Sequence, residues 1–201
     1  MAFQQFTFPQ VAVDLGLTLL DADLFGSVPG EVVSPEFEAS IADGANLASA
    51  INTEKARSEF VIAPVLLDLR RRHPGEFTLF SGVELVADAN RGLNGICDFL
   101  LAKSPSQHLV SAPILTVVEA KNDNIRNGFG QCIASMVAVK LVNDAAGKTQ
   151  PALSGCVSNG TQWKFFALAD TTVMIDSVEY QLNELGKILA ILGSIVTAFR
   201  A

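Results

Sequence analysis

The chain has 201 residues, of which 49% are hydrophobic and 17% are charged. This composition is typical of a folded globular protein and excludes a disordered polymer. The formal net charge is −7, which excludes a broad basic surface that would bind nucleic acid through many phosphates. We therefore expect one domain spanning residues 1–201, and a nucleic-acid-binding function must account for this acidic charge.

Membrane insertion and disulfide bonding are not expected. The segment LAILGSIVTAF, which starts at Leu189, is too short to span a bilayer. The first ten residues lack the basic residues and apolar stretch of a signal peptide, so a cytoplasmic location is expected. The cysteines Cys97, Cys132 and Cys156 are far apart without a metal-binding spacing, which favours buried reduced thiols.

Residues 35–73 are predicted to be mainly helical. The segment NTEKARSEF offers Asn52 or Thr53 as a helix cap, followed by an acidic residue in the first turn. Pro64 is expected to kink or restart the helix. The basic residues 70–73 before Pro74 indicate the helix end, where their charges complement the helix dipole.

The remainder of the chain predicts strands interrupted by helices. EFTLFSGVELVAD predicts one or two strands, and LNGICDFLLAK and APILTVVEAK predict one strand each. A helix over about residues 128–142 follows, then a hairpin that turns at Asn159-Gly160. TTVMIDSVEYQL predicts a further strand, and residues 182–199 predict an apolar closing helix. This order predicts an α/β fold with a central mixed sheet flanked by helices.

Charged residues interrupt two of the predicted strands. Asp98 in GICDFLL stands among apolar residues, and VVEAK places Glu119 and Lys121 on one face of a strand end. A buried charge is costly unless it is paired or coordinated, so these side chains are expected to converge if the strands are neighbours. One interpretation is a structural ion-pair cluster. The other is a site for a hard divalent cation, with the lysine beside a reacting phosphate.

The order of these residues resembles the PD-(D/E)xK nuclease superfamily, over about residues 53–143. The matching residues are Glu59 in EFVIAPVL, Asp98 in GICDF, Glu119, Ala120 and Lys121 in VVEAK, and Gln131 in GFGQCIASM. The chain is most similar to small stand-alone members of that superfamily. The resemblance implies a restriction-endonuclease-like αβββαβ core over about residues 53–170. It also implies hydrolysis of DNA phosphodiesters with Mg²⁺ or Mn²⁺.

The resemblance further implies a role for each matching residue. Asp98 and Glu119 would hold the metal with the backbone carbonyl of Ala120. Glu59 would be an outer metal ligand, with Glu54 as the rival helix acid.

Lys121 would orient the attacking water and stabilise charge on the phosphate, and Gln131 would position substrate or water. The chain departs from the family pattern at two places. Cys97 precedes Asp98 where the family has proline, and Ser135 replaces the tyrosine of the exonuclease branch.

Two alternatives to a nuclease stay open. The first is a catalytically degenerate member of the fold that binds nucleic acid or a protein without cutting. The acidic balance favours it, since few cations are expected in the groove. These cations are Lys55, Arg57, Lys121, Arg126 and Lys140. The second is an ordinary α/β protein with buried ion pairs.

Two expectations concern surfaces. Cleavage of both DNA strands would favour a homodimer, for which the apolar C-terminal helix offers a surface. Trp163 is predicted as an aromatic residue of the hairpin core in preference to one that stacks on a base.

Overall fold

The computed structural model describes residues 2–198 and shows an α/β chain with one large mixed sheet. The α-helices are α1 (Gln10–Leu15), α2 (Pro35–Ile51), α3 (Glu54–Arg57), α4 (Ala63–Arg72), α5 (Phe129–Ala145) and α6 (Leu185–Ala198). The strands are β1 (Thr18–Ala22), β2 (Thr78–Asp88), β3 (Leu93–Ala102), β4 (Ile114–Ala120), β5 (Leu153–Ser158), β6 (Gln162–Ala169), β7 (Thr172–Asp176) and β8 (Tyr180–Gln181). A π-helical segment, Ser58–Ile62, joins α3 to α4.

The sheet places β4 near its middle. Its order is β1-β7-β6-β5-β4-β3-β2, and β8 pairs with β6. β2, β3 and β4 are antiparallel neighbours, whereas β4 and β5 are parallel and are joined through α5. Every residue of β4 is buried, which explains its continuous apolar run before Glu119.

Helices cover both faces of the sheet and create two hydrophobic cores. α5 packs on one face with N-terminal aromatic residues such as Phe3 and Phe6. α2, α4 and α6 contribute to the core on the other face. Val117 belongs to the first core and Val118 to the second, as the alternation of side chains along a strand requires. Glu119 therefore faces α5.

The predicted helix over residues 54–72 is present and begins at a well-defined cap. Thr53 Oγ1 accepts a hydrogen bond from Ala56 N at 3.1 Å, so Thr53 is the N-cap. Asn52 instead ends α2 with a φ of 55°. Pro64 lies in the first turn of α4, directly after the π-helical segment. Its missing N–H suits a position where the α-helical hydrogen bonds restart.

The predicted strands are confirmed, with one omission. EFTLFSGVELVAD forms one strand, β2, and TTVMIDSVEYQL forms β7 and the short β8. The β5-β6 hairpin turns at residues 159–160, with Ser158 opposite Trp163. No sequence pattern predicts β1, which pairs in parallel with β7 at the sheet edge, because none of its residues is fully buried.

The apolar C-terminal helix, expected to offer a surface for a homodimer, covers the sheet of its own chain. α6 buries its apolar residues, including Ile188, Leu189 and Leu192, against the sheet of the same chain. Phe199, at the end of the predicted helix, lies outside the described residues. Within residues 2–198, no helix combines the length and apolar character needed to cross a membrane.

Candidate functional site

The site centres on Glu119, which is fully buried at the end of β4. Its Oε2 accepts a hydrogen bond from Gln131 Nε2 at 2.6 Å. Its Oε1 accepts one from Ser135 Oγ at 3.0 Å. Gln131 and Ser135 are four residues apart on α5 and therefore share a helix face. One helix thus positions both oxygens of the carboxylate.

Gly128 allows α5 to begin this close to the strand end. A Cβ atom added there would lie 2.7 Å from Val157 Cγ1 and 2.9 Å from Lys121 Cγ. Both distances are too short for non-bonded carbon atoms, so a side chain at this position would displace the start of α5. The glycine therefore helps to set where Gln131 meets Glu119.

Asp98 lies beside Glu119 from the neighbouring strand. Phe99 pairs with Val118 in the antiparallel register, so the next residues outward are Asp98 and Glu119. Asp98 is half-buried, and its Oδ2 accepts a hydrogen bond from Ala120 N at 2.8 Å. The predicted convergence of the two acids is therefore present.

The two carboxyl groups influence one another electrostatically. Burial raises the pKa of Glu119 well above its usual range, the negative charge of Asp98 raises it further, and Lys121 partly opposes the shift. A hydrogen bond with Asp98 also favours the protonated form of Glu119. Without a cation, Glu119 is therefore expected to keep its proton more readily than an exposed glutamate.

Lys121 lies at the mouth of the site with its side chain only 14% exposed. Its Nζ donates to the backbone carbonyl of Ala120 at 2.6 Å and lies 3.7 Å from Glu54 Oε2. The ammonium therefore contacts the carbonyl that the family resemblance assigns to a metal. A lysine in this position supplies positive charge at the edge of the acid pair.

Glu54, and not Glu59, is the helix acid that meets the cluster. Glu59 Oε1 lies 2.7 Å from Lys55 Nζ, and this ion pair is largely exposed. The expectation that Glu59 points at Asp98 is therefore corrected. Glu54 lies in α3 and contacts Lys121, whereas Glu59 lies in the π-helical segment and pairs with Lys55.

The donor set fits a hard divalent cation. The carboxylates of Asp98 and Glu119 and the carbonyl of Ala120 are the oxygen ligands that Mg²⁺ and Mn²⁺ prefer. Within residues 2–198, no group of three or more His, Cys, Asp or Glu side chains is arranged to hold a metal ion. Such a cation would therefore depend on the carbonyl and on water for its remaining ligands.

Two neighbours of Glu119 were not selected as site residues from the sequence. Ser135 is one, and its position four residues after Gln131 is the pattern that identifies it. The other is Cys97, which contacts Ser135. Burial of Cys97 is the main cause that raises the pKa of its thiol, and the charge of Glu119 is the second. As predicted, Cys97, Cys132 and Cys156 are buried and free. Cys97 is therefore a protonated neighbour and not a nucleophile.

The expected groove cations separate into different environments. Arg57 donates to Asn122 Oδ1 at 3.2 Å, beside Lys121. Arg126 lies 5.9 Å from the ring centroid of Phe8. Lys140 pairs with Asp144 at 2.6 Å and lies nine residues beyond Gln131 on α5, which places it about 13 Å further along the helix. Lys140 is therefore outside the site.

Trp163 has no access to a base. Its side chain is fully buried, and its Nε1 donates to Gly160 O at 3.2 Å. The prediction that it belongs to the hairpin core is confirmed.

Most residues selected from the sequence thus meet at one end of β4, and the helix acid that contacts them, through Lys121, is Glu54. The cluster consists of Asp98, Glu119, Lys121 and Gln131, joined by Ser135. Comparison with protein-family models and with curated proteins finds no match for the chain. The likeness to the PD-(D/E)xK superfamily therefore rests on these residues and their order.

Proposed function

We propose that the protein is a divalent-metal-dependent nuclease that hydrolyses DNA phosphodiester bonds. The observation that carries the proposal is the buried carboxylate of Glu119, fixed by Gln131 and Ser135 beside a second acid, Asp98. A structural ion pair needs one acid and one base, whereas this arrangement brings together two acids that would repel each other once both are ionised. A cation between them would remove that repulsion.

The order of the elements also supports a restriction-endonuclease-like core. A helix, α4, is followed by the antiparallel strands β2, β3 and β4, and then by α5 and the parallel strand β5. This succession agrees with the αβββαβ arrangement that the resemblance implies. It brings the acid of β3 and the acid of β4 to the same place.

The residues present suit Mg²⁺ or Mn²⁺. Asp98, Glu119 and the carbonyl of Ala120 would hold the ion, and Glu54 would take the outer role first expected for Glu59. When bound, the metal supplies charge neutralisation and an activated water. Gln131 and Ser135 keep the carboxylate of Glu119 in one orientation.

Lys121 would act on the phosphate and not on the metal. A protonated lysine has three donors and no acceptor, so it cannot be a metal ligand. Its contacts with Ala120 O and Glu54 hold the ammonium at the mouth of the site. There it would stabilise negative charge that develops on the phosphate oxygens.

A catalytically degenerate DNA- or protein-binding protein is the second candidate. The observation that favours it is the ion pair between Lys121 and Glu54, which already neutralises the lysine. The net charge of −7 also favours it. In this candidate the cluster is structural, and the metal is not required.

Cleavage assays distinguish the two candidates. Plasmid, single-stranded and branched DNA are incubated with the protein and Mg²⁺ or Mn²⁺, while calorimetry measures metal binding. We expect cleavage that the double change Asp98→Ala, Glu119→Ala abolishes. Metal binding without cleavage would favour the degenerate protein, and the absence of both would contradict a metal-dependent nuclease.

A further inference from the structure

Arg57 holds a positive charge next to the candidate site without a carboxylate partner among residues 2–198. Its Nε donates to Asn122 Oδ1 at 3.2 Å, its Nη1 to Asn159 O at 3.3 Å and its Nη2 to Asn52 Oδ1 at 3.5 Å. All three acceptors are neutral oxygens. The nearby acid on the same helix, Glu54, is paired with Lys121 instead.

Arg72 shows how the same fold treats an arginine with a structural role. Its Nε lies 2.7 Å from Asp68 Oδ2, and its Nη1 lies 3.2 Å from Glu31 Oε2. Both carboxylates neutralise its charge, and Glu31 ties α4 to the segment before α2. Arg57 is similarly half-buried but receives no such compensation, so its charge remains available to an anion.

The geometry of the guanidinium leaves room for that anion. An arginine has five N–H donors, and the three hydrogen bonds of Arg57 use one on each nitrogen. One donor on Nη1 and one on Nη2 therefore remain within the described part of the chain. Two free N–H donors on one guanidinium are the groups with which arginine binds phosphate oxygens.

The position of Arg57 connects it to the proposed reaction. Its partner Asn122 directly follows Lys121 in the chain. Its second partner, Asn159, donates from Nδ2 to Asp123 O at 2.7 Å. The guanidinium is thus fixed to the same loop that carries the lysine, and a phosphate bound there would be close to one at Lys121.

We propose that Arg57 binds a non-reacting phosphate next to the scissile phosphodiester. This inference rests on the proposed nuclease function and defines its substrate class as a polynucleotide strand, not an isolated phosphodiester. It also explains how an acidic protein can hold DNA, because one pre-positioned arginine acts locally where a broad basic surface is absent.

The salt dependence of DNA binding tests the contact without requiring cleavage. The affinity of a fluorescent DNA duplex is measured in EDTA over a range of salt concentrations for wild type, Arg57→Gln and Arg57→Lys. Loss of one phosphate contact should reduce the slope of log K against log[salt] by about 0.9. Arg57→Gln should show this reduction, with affinity about tenfold lower or more, and Arg57→Lys should keep the slope. Arg71→Gln, an exposed change about 21 Å along the helical segment, is the matched control.

The outcomes separate a phosphate contact from a structural one. An unchanged slope in Arg57→Gln, or wild-type protein that does not bind DNA, would overturn the inference. If Arg57→Gln does not fold, the affinity of Arg57→Lys for DNA is the test. Lysine lacks the paired donors of the guanidinium, so this variant should bind DNA more weakly at every salt concentration. Wild-type affinity in that variant would count against the contact. Binding that depends on Arg57 without any cleavage would support the contact while contradicting the nuclease function.

A second substrate tests the substrate class. Activity on DNA and on bis(p-nitrophenyl) phosphate, a diester with no neighbouring phosphate, is compared in wild type and Arg57→Gln. The loss on DNA should exceed the loss on the small diester by about tenfold or more. Equal losses would indicate that Arg57 supports the loop and does not contact a second phosphate.

Discussion

Gln131 Nε2 lies 2.6 Å from Glu119 Oε2, and both side chains are buried. The amide of Gln131 therefore orients the carboxylate of Glu119. The role expected from the sequence is to position substrate or water. Ser135 binds the second oxygen from the next turn of the same helix. The start of α5 consequently determines the orientation of the Glu119 carboxylate.

The first prediction concerns the metal. Mg²⁺ or Mn²⁺ should raise the melting temperature, because a ligand that binds only the folded state stabilises it by about 2.7 kcal/mol at 100 times its dissociation constant. The double change Asp98→Ala, Glu119→Ala should abolish the shift in thermal unfolding. Glu59→Gln is the control and should retain it, since Glu59 pairs with Lys55 on the surface. A wild-type protein without a metal-dependent shift would contradict the site.

The second prediction distinguishes the two helix acids. Glu54→Gln removes the carboxylate that lies 3.7 Å from Lys121 Nζ and should change metal-dependent cleavage by several-fold or more. Glu59→Gln breaks only an exposed pair, which is worth less than about 1 kcal/mol, and should leave cleavage near the wild-type rate. Steady-state kinetics on plasmid DNA measures both. The opposite ranking would return the outer role to Glu59.

The alternation of side chains along strands predicts much of the site from the sequence. The orientation of the helix that carries Glu54 and Glu59 could not be predicted in this way. The alternation predicts Glu119 and Lys121 on one face of the strand end, and β4 ends at Ala120, between them. The pairing of β3 with β4 brings Asp98 beside Glu119, but that register depends on the fold and is not written in either strand alone. The choice between Glu54 and Glu59 depends on how the helix rotates against the sheet, which short acidic segments do not specify.

The role of α6 and the existence of β1 could not be read from the sequence, for related reasons. The apolar pattern of α6 is the same whether the helix covers its own sheet or a second subunit, and the structure shows the former. β1 has no buried face to produce a recognisable pattern, since it lies at the sheet edge. In both cases the structure depends on the element that packs beside the segment, which is the sheet for α6 and β7 for β1.

The third prediction concerns pH in the absence of metal. Burial, and then the charge of Asp98, raise the pKa of Glu119 in the folded protein above its unfolded value of about 4.5. Between these two pKa values the folded state binds more protons than the unfolded chain, so the free energy of unfolding falls as the pH rises through that window. Glu119→Gln cannot ionise and should show a shallower fall.

Urea unfolding in EDTA at a series of pH values measures this difference. Glu59→Gln, with its side chain on the surface, is the control and should follow the wild-type profile. Parallel profiles for wild type and Glu119→Gln would show that Glu119 does not retain a proton in the folded protein.

The fourth prediction separates a catalytic from a structural Lys121. Lys121→Met keeps much of the apolar stem that packs against Gly128 and removes the charge at the mouth of the site. If Lys121 stabilises the transition state, the variant should fold and bind Mn²⁺ but lose about 10²-fold or more in DNA cleavage. A structural lysine predicts instead a marked fall in melting temperature, because removing one partner of a buried charge cluster leaves the acids uncompensated. Lys55→Met, whose side chain is 80% exposed, controls for the loss of one positive charge. Thermal unfolding and plasmid cleavage, measured on the same samples, distinguish the two roles. If the wild-type protein cuts no DNA and Lys121→Met is destabilised, the cluster is structural.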